Sequence, residues 1–244
     1  VPAGLNISIQ HPEGGVVEKI TVRDGDAVAA GDLLVSLDST QLLSELEQMT
    51  VREGALLLET ERVAALIAQR APSFGEAGQH YPHLAEKQRT LFDAQQNSHE
   101  REKAVINSQL EQRRNELARQ ENEVAALRKE LRLYREQFEL RKKLNSDKLV
   151  ARTELLSVET RLAESQRDLR RARDGVSVAM SSVNEAEQRL IELDARYFEE
   201  LEQEASRIAA ELAEVAQTLI RLQDRADRLE MYSPVDGIVQ ALSV

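Results

Sequence analysis

The chain has 244 residues without a cysteine or a tryptophan, and only eight of its side chains are aromatic. The absence of cysteine excludes a disulfide scaffold, a thiolate nucleophile and every metal site built on cysteine. Eight rings form a poor core for a compact globule of this length, yet a hydrophobic content of 41% is too high for a disordered chain. Abundant Ala, Leu, Glu, Arg and Gln are instead typical of long helices and coiled coils.

Long apolar runs and an excess of positive charge are also missing. No stretch approaches about 18 consecutive apolar residues, so we predict no membrane span. The formal net charge of −11 argues against nucleic acid as a partner, because a protein that binds nucleic acid needs a basic face. The chain begins and ends within strand-like sequence and shows no signal-peptide pattern, and we therefore expect it to be a fragment of a longer protein with a membrane anchor upstream.

Glycine and proline are scarce in the middle of the chain. Between Tyr81 and Ser233 the only such residues are Pro82 and Gly175, whereas five of the ten glycines fall within the first 31 residues. Because these two residue types are the main breakers of regular structure, the middle is predicted to be long helix.

The two ends have the sequence pattern of β structure. β-branched runs at 7–9, 15–22 and 33–37 are separated by turn sequences, and strand, turn and strand follow again after residue 230. The predicted domains are a first β half at 1–39, a helical domain at 40–230 and a second β half at 231–244.

Two stripes of apolar residues repeat every seven positions within the helical region. One stripe consists of Leu155, Leu162, Leu169, Val176, Val183, Leu190 and Tyr197, and after a phase shift of four residues it continues as Leu201, Ile208, Val215, Leu222 and Leu229. The other stripe consists of Leu110, Leu117, Val124, Leu131 and Phe138. Stripes of this length indicate a coiled coil, and a four-residue shift locally unwinds a left-handed supercoil without breaking the helix.

The two stripes are expected to fold onto each other. The segment from Asn145 to Arg152 is the best reversal, because Asn and Asp favour turns. A reversal centred on Lys148 places large residues opposite small ones in successive layers, which lets two helices interdigitate closely. The pairs are Leu110 with Ala186, Leu117 with Ala179, Val124 with Ala172, and Leu131 with Ser165. This register predicts an antiparallel helical hairpin.

Helix lengths add a constraint on the layout. Helices are predicted at about 40–70, 82–145 and 153–230, with a loop at 71–78 and the hairpin tip at about 145–152. At about 1.5 Å per residue the three helices would be about 45, 95 and 115 Å long, so the first and the middle helix must overlap side by side. The expected fold is mostly α with a small β module: a long antiparallel coiled-coil α-hairpin of three helices, locally a three-helix bundle, inserted into a split β domain.

The β halves carry a family resemblance. The segment Gly15–Asp38 resembles the first half of a lipoyl/biotinyl domain, and Ser233–Val239 resembles the start of its second half. Carrier domains join these halves by a hairpin with a modified lysine, but Leu37–Gln41 contains no lysine. A split lipoyl domain around a helical hairpin resembles the HlyD-type membrane fusion proteins, or periplasmic adaptors. The opening Gln10–Val17 is similar to the branch that serves type I secretion of proteases and lipases.

This resemblance implies a mechanical role without catalysis and without a cofactor. Such adaptors are anchored in the inner membrane of Gram-negative bacteria, form a homo-oligomeric ring with an ABC transporter, and extend their hairpins across the periplasm to a TolC-like outer-membrane channel, so that a protein substrate is secreted in one step. Two alternatives stay open: an adaptor of a multidrug or small-molecule efflux pump with the same architecture, and, more distantly, a cytoplasmic coiled-coil tether.

The resemblance places channel docking at the hairpin tip. Many adaptors show an Arg, a Leu four residues later and a Ser or Thr seven beyond that; Leu144 fits the Leu position, but Leu140 and Ala151 stand at the other two. Residues 141–152 carry five basic side chains and one acidic one, which suits an acidic channel rim. The candidate docking residues are Leu144, Ser146, Asp147, Lys148, Leu149, Val150, Ala151 and Arg152.

Other candidate sites are weak. His80 and His83 offer two imidazoles, but no third histidine is near them in the sequence, so a metal site is not expected. The paired acidic residues Glu199 and Glu200 lie on the outer face of a heptad helix, where charge is solvated. No catalytic, cofactor or metal residue is predicted.

Overall fold

The computed structural model describes residues 7–11 and 14–240. The secondary-structure elements are β1 (Val17–Ile20), β2 (Ala27–Val28), β3 (Leu33–Leu37), α1 (Thr40–Ile67), α2 (Gly75–His80), α3 (Pro82–Ser146), α4 (Arg152–Ala226), β4 (Glu230–Tyr232) and β5 (Gly237–Ile238). The protein is therefore mostly helical, with a small strand module and a long helical hairpin, and the fold class is confirmed at this level. None of the helices in the described part of the chain is long and apolar enough to cross a membrane.

The described residues fall into two compact units. The β-end unit contains those up to Phe92 together with those from Leu201 onward, and the hairpin unit contains Asp93–Glu200.

In the β-end unit, strands from the two ends of the chain pair with one another. Strand β3 lies between β1 and β4 in an antiparallel three-stranded sheet, and β2 pairs with β5 in a second, two-stranded sheet. A backbone hydrogen bond also ties the turn before β2 to the C-terminal segment, since the amide of Gly25 donates to the carbonyl of Val239 at 2.9 Å. Residues that lie about 200 positions apart in sequence thus form one β module.

The β-branched run at 7–9 does not form the strand that its sequence predicts. Both Ile7 and Ile9 are exposed, and the run pairs with no described strand. A preference for extended backbone makes a strand only where a partner edge is available. Residues 1–6, 12–13 and 241–244, which belong to the predicted β halves, lie outside the described residues.

Helix α1 is held in the β-end unit by an apolar core and one buried arginine. Leu58, Val63 and Ile208 are almost completely buried. The Arg62 side chain, which is 3% exposed, donates from Nε to Gln88 Oε1 on α3 and from Nη2 to Glu204 Oε1 on α4, both at 2.7 Å. One side chain of α1 therefore bridges segments from two other helices.

The predicted loop at 71–78 is partly wrong, because α2 begins at Gly75 inside it. Gly75 has a φ of 48°, a conformation that glycine adopts without strain. A Cβ on Gly78 would lie only 2.7 Å from Phe74 Cβ. The two glycines, which we interpret as breakers in the sequence, therefore permit the backbone conformation and the close approach that this short helix requires.

The hairpin unit has a core in which large residues on α3 pack against both small and large residues on α4. One buried cluster contains Val124, Leu131, Leu169 and Ala172, and a second contains Leu110, Val183 and Ala186. The predicted pairs Leu110 with Ala186 and Val124 with Ala172 each lie within one cluster, which agrees with the predicted register at these two layers.

The phase shift in the α4 stripe marks the boundary between the two units. After Tyr197 the stripe restarts at Leu201, which is the first α4 residue of the β-end unit. Every member from Leu201 to Leu222 is buried there. Helix α4 continues through the shift without a break and ends at Ala226, four residues before the predicted end, since Glu230 already pairs in β4.

Candidate docking site at the hairpin tip

The end of α3 closes in a turn of Schellman type. Lys148 has a left-handed backbone conformation with a φ of 62°. The amide of Leu149 donates to the carbonyl of Leu144 at 2.9 Å, and that of Lys148 donates to the carbonyl of Asn145 at 3.0 Å. Both bonds satisfy carbonyls that stay unpaired at an ordinary helix end. The sequence predicts a turn here from its Asn and Asp, but nothing in it indicates that a lysine holds the position that glycine usually occupies.

Two side-chain contacts tie the loop to both helices. Asn145 Nδ2 donates to the carbonyl of Val150 at 2.9 Å. Across the start of the hairpin, Arg141 on α3 forms an ion pair with Glu154 on α4. Asn145 is absent from the docking residues expected from the sequence, and the structure shows that it shapes the loop.

The predicted docking residues differ in their exposure. Leu149 is 71% exposed. Ser146, Asp147, Lys148, Ala151 and Arg152 are exposed as well, whereas Leu144 and Val150 are half-buried. Of the apolar residues at the reversal, Leu149 is therefore the large side chain that remains available to a partner.

Positive charge at the tip is mostly left unneutralised. Glu154 neutralises Arg141 by an ion pair, but in the part of the chain that the structure describes no ion pair forms at Lys142, Lys143, Lys148 or Arg152. Asp147 is the one acidic residue among residues 141–152. An acidic partner surface would be attracted to such a tip, and its encounter would be accelerated.

Sequence reasoning missed two further apolar side chains close to the tip. Leu140 on α3 is 59% exposed and Leu156 on α4 is 57% exposed. The predicted register places them at the same level of the hairpin, eight residues on either side of Lys148. Their signal in the sequence is that both are leucines outside the heptad stripes. Exposed large apolar residues in a group are typical of protein interfaces.

The histidine pair has an ordinary structural setting. Nδ1 of His80 lies 3.2 Å from the carbonyl oxygen of Glu76, one turn back in α2. Among the described residues no group of three or more His, Cys, Asp or Glu side chains is placed to hold a metal ion.

Comparison with known families and proteins gives consistent matches. A family described as "AprE, long alpha-helical hairpin" matches residues 42–225. The proteases secretion protein PrtE of Dickeya chrysanthemi is 39% identical over 75 residues, which are 28% of this chain and 17% of that protein. The type I secretion system membrane fusion protein PrsE of Rhizobium meliloti is 24% identical over 97% of this chain and 55% of that protein. The chain thus spans about half the length of PrsE.

A solved structure shows the same fold. The soluble domain of LipC, a membrane fusion protein of a type I secretion system, has a TM-score of 0.87 to this structure at 23% sequence identity. The match covers 97% of this chain and 91% of that chain.

Proposed function

The chain belongs to the AprE family of long α-helical hairpins, within the protease and lipase exporter branch of the HlyD-type adaptors, and from this we propose that it is a periplasmic adaptor of type I secretion. In this role it links an inner-membrane ABC transporter to a TolC-like outer-membrane channel, forms a ring with its own copies, and conducts a secreted protein without catalysing a reaction. It is anchored in the inner membrane and lies in the periplasm.

The observation that carries the proposal is the hairpin tip. A turn closed by backbone hydrogen bonds presents Leu149 outward, beside Lys148 and Arg152, which form no ion pair within the described residues. A surface that is both apolar and charged is suited to a protein partner, because the leucine contributes buried area and the cations contribute attraction and orientation.

The β module fits a split lipoyl-like domain, which we include in the proposal. Strands β4 and β5, which follow the helical insert, complete sheets with β3 and β2. The connection after β3 leads directly into α1 at Thr40 instead of a lysine-bearing hairpin. A structural module is therefore favoured over a carrier. In the same unit, the Arg62 contacts to α3 and α4 support a local bundle of three helices.

The alternative is an efflux-pump adaptor of the same architecture. The names of the matching relatives favour protein secretion, since PrtE and PrsE are both described as secretion proteins. The neighbouring genes discriminate between the two: an ABC transporter next to this gene supports type I secretion, whereas a major-facilitator or RND-type pump contradicts it.

The tip can be tested by charge reversal in the full-length protein. The double substitution Lys148→Glu/Arg152→Glu should abolish secretion into the medium, since it turns a cationic tip acidic, while the helical circular dichroism signal stays unchanged. The matched control is Arg113→Glu/Arg196→Glu, which reverses two exposed charges of the same unit far from the tip. Secretion that survives the tip substitution would remove tip charge from the mechanism.

A further inference from the structure

The hairpin unit is electrically divided into two halves. Residues 128–173, which include the tip, carry fourteen basic and eight acidic side chains, a net charge of +6. The rest of the unit, 93–127 and 174–200, carries seven basic and fourteen acidic side chains, a net charge of −7. The positive charge therefore extends well beyond the loop. At 1.5 Å per residue, Arg128 lies about 30 Å along α3 from Lys148.

Ion pairing follows the same division. In the acidic half, four of the seven basic side chains pair with carboxylates: Lys103, Arg114, Arg119 and Arg189. In the basic half, only two of fourteen do so, namely Arg141 and Arg167. Most cations of the basic half are thus exposed without an internal counter-charge, within the described residues.

One position in the hairpin makes the contrast concrete. Arg114 on α3 pairs with Glu187 on α4 at 2.8 Å, across the flank of the coiled coil. Fourteen residues farther toward the tip on each helix, which is two heptads, the equivalent positions hold Arg128 and Arg173. Both arginines line one depression of about 310 Å³ between the helices, together with Glu121, which lies within 4 Å of neither guanidinium.

An arginine pair at this position is unfavourable for the isolated hairpin. Flanking positions of coiled coils normally hold opposite charges that set partner and register, and like charges there repel. The repulsion is relieved when a carboxylate enters between the two guanidinium groups, each of which can bind it through a bidentate hydrogen bond. The depression is open to such a group from outside.

We propose that the basic surface, defined as the exposed cations of residues 128–173 from the tip as far as Arg128 and Arg173, binds acidic side chains on the outer-membrane channel protein. This inference rests on the proposed function and extends its contact surface from the loop to about 30 Å along the hairpin. A second depression, of about 390 Å³, is lined by α4 residues that lie between the tip and Arg173 in the sequence, among them Leu156, Arg167 and Arg170 together with Glu159.

Charge argues for the channel and against a second copy of this chain as the partner. Copies that stand side by side in a ring present the same half, with its net charge of +6, at the same level, so on balance their charges repel rather than neutralise one another. The neutralising carboxylates must then come from a protein of different sequence that reaches the same level. The channel is the partner that the tip already contacts in the proposed function.

The test uses the full-length protein in cells that contain its transporter and its channel. Arg173→Glu gives Arg128 the kind of partner that Arg114 has in Glu187, so the thermal unfolding temperature of the purified protein should stay constant or rise. Binding to the channel should nevertheless weaken about tenfold and depend less on salt. Arg196→Glu, an exposed charge reversal on the same helix in the acidic half, is the matched control. The photo-crosslinker p-benzoylphenylalanine, placed at exposed Ala125 beside Arg128, identifies the contacted protein.

Each outcome has a distinct meaning. A crosslink from position 125 to the channel, lost in Arg173→Glu and retained in Arg196→Glu, supports the proposal. If Arg173→Glu binds like its control while Lys148→Glu/Arg152→Glu does not bind, the basic surface is not part of the interface, although the proposed function stands. A crosslink to a second copy overturns the choice of partner. If neither Lys148→Glu/Arg152→Glu nor Arg173→Glu alters binding or secretion, the result contradicts the proposed function itself.

Discussion

Ser165 offers a sharp test of how the hairpin core is built. Its side chain is 4% exposed, and Oγ has no hydrogen-bond partner within the described residues. It occupies the same column of α4 as Ala172, Ala179 and Ala186, which follow at intervals of seven and are all buried. Replacement by alanine should therefore remove a buried hydroxyl without a partner and leave the interdigitation intact.

The expected gain follows from two effects. Desolvation of a buried hydroxyl that makes no hydrogen bond costs about 1–3 kcal/mol, and alanine exceeds serine in helix propensity by about 0.5 kcal/mol. Ser165→Ala should thus raise the free energy of unfolding of the hairpin unit by about 2 kcal/mol. For a unit of this size the unfolding temperature should rise by about 5–10 °C.

Two comparison variants isolate the burial effect. Exposed Ser181, whose Oγ donates to the carbonyl of Ser177 at 3.1 Å, should gain no more than about 0.5 kcal/mol on replacement by alanine. Ser165→Val should instead lower stability by about 1–3 kcal/mol, because the added methyl groups overpack the layer that Ser165 shares with Leu131 in the predicted register. Urea unfolding followed by circular dichroism, with hydrogen exchange of the amides around residue 165, measures all three. A Ser165→Ala variant no more stable than Ser181→Ala would refute the reasoning.

Two further predictions concern the β-end unit. Arg62→Ala should lower the free energy of unfolding, measured in urea, by about 2–3 kcal/mol, because it leaves Glu204 without its partner in a largely buried site. Arg62→Met refills the volume of the side chain and should lose less stability. Equal losses in the two variants would contradict this account. The Arg70 guanidinium, hydrogen-bonded to Glu61, holds the pKa of that carboxyl below its usual 4.5. A lowered folded-state pKa stabilises the fold above about pH 4.5 and loses that contribution as the pH falls through the lowered value. Glu61→Gln should therefore be less stable than the unchanged protein at about pH 7, and the difference should shrink as the pH falls below about 4.5, whereas a constant difference would contradict the linkage.

The helical region could be predicted from the sequence because its signal is local and repeated. Each heptad position repeats the same choice between apolar and polar, so the stripes through Leu169 and Leu131 identify the buried faces without knowledge of the fold. The pairing of Val124 with Ala172 follows from matching large to small residues around one turn. The short helix α2 was missed, because two glycines and a proline in its neighbourhood predict a loop.

The candidate docking site was only partly predictable from the sequence. The charge of the tip is a property of composition, and the sequence reports it directly. That Leu149 is exposed while Val150 is half-buried depends on the left-handed backbone at Lys148 and on the hydrogen bond from Asn145, neither of which has a distinct sequence signature. The Arg128 and Arg173 pair becomes visible only when the register sets the two helices side by side.

The heptad stripes, the scarcity of glycine and proline between them and the turn residues near Lys148 by themselves determined a coiled-coil hairpin, because periodicity and breakers act over a few residues. Tertiary structure alone decided which strands pair across the helical insert, that Arg62 joins three helical segments, and where cations remain without counter-charges. Those features depend on contacts between residues far apart in sequence, where no local preference selects one partner over another.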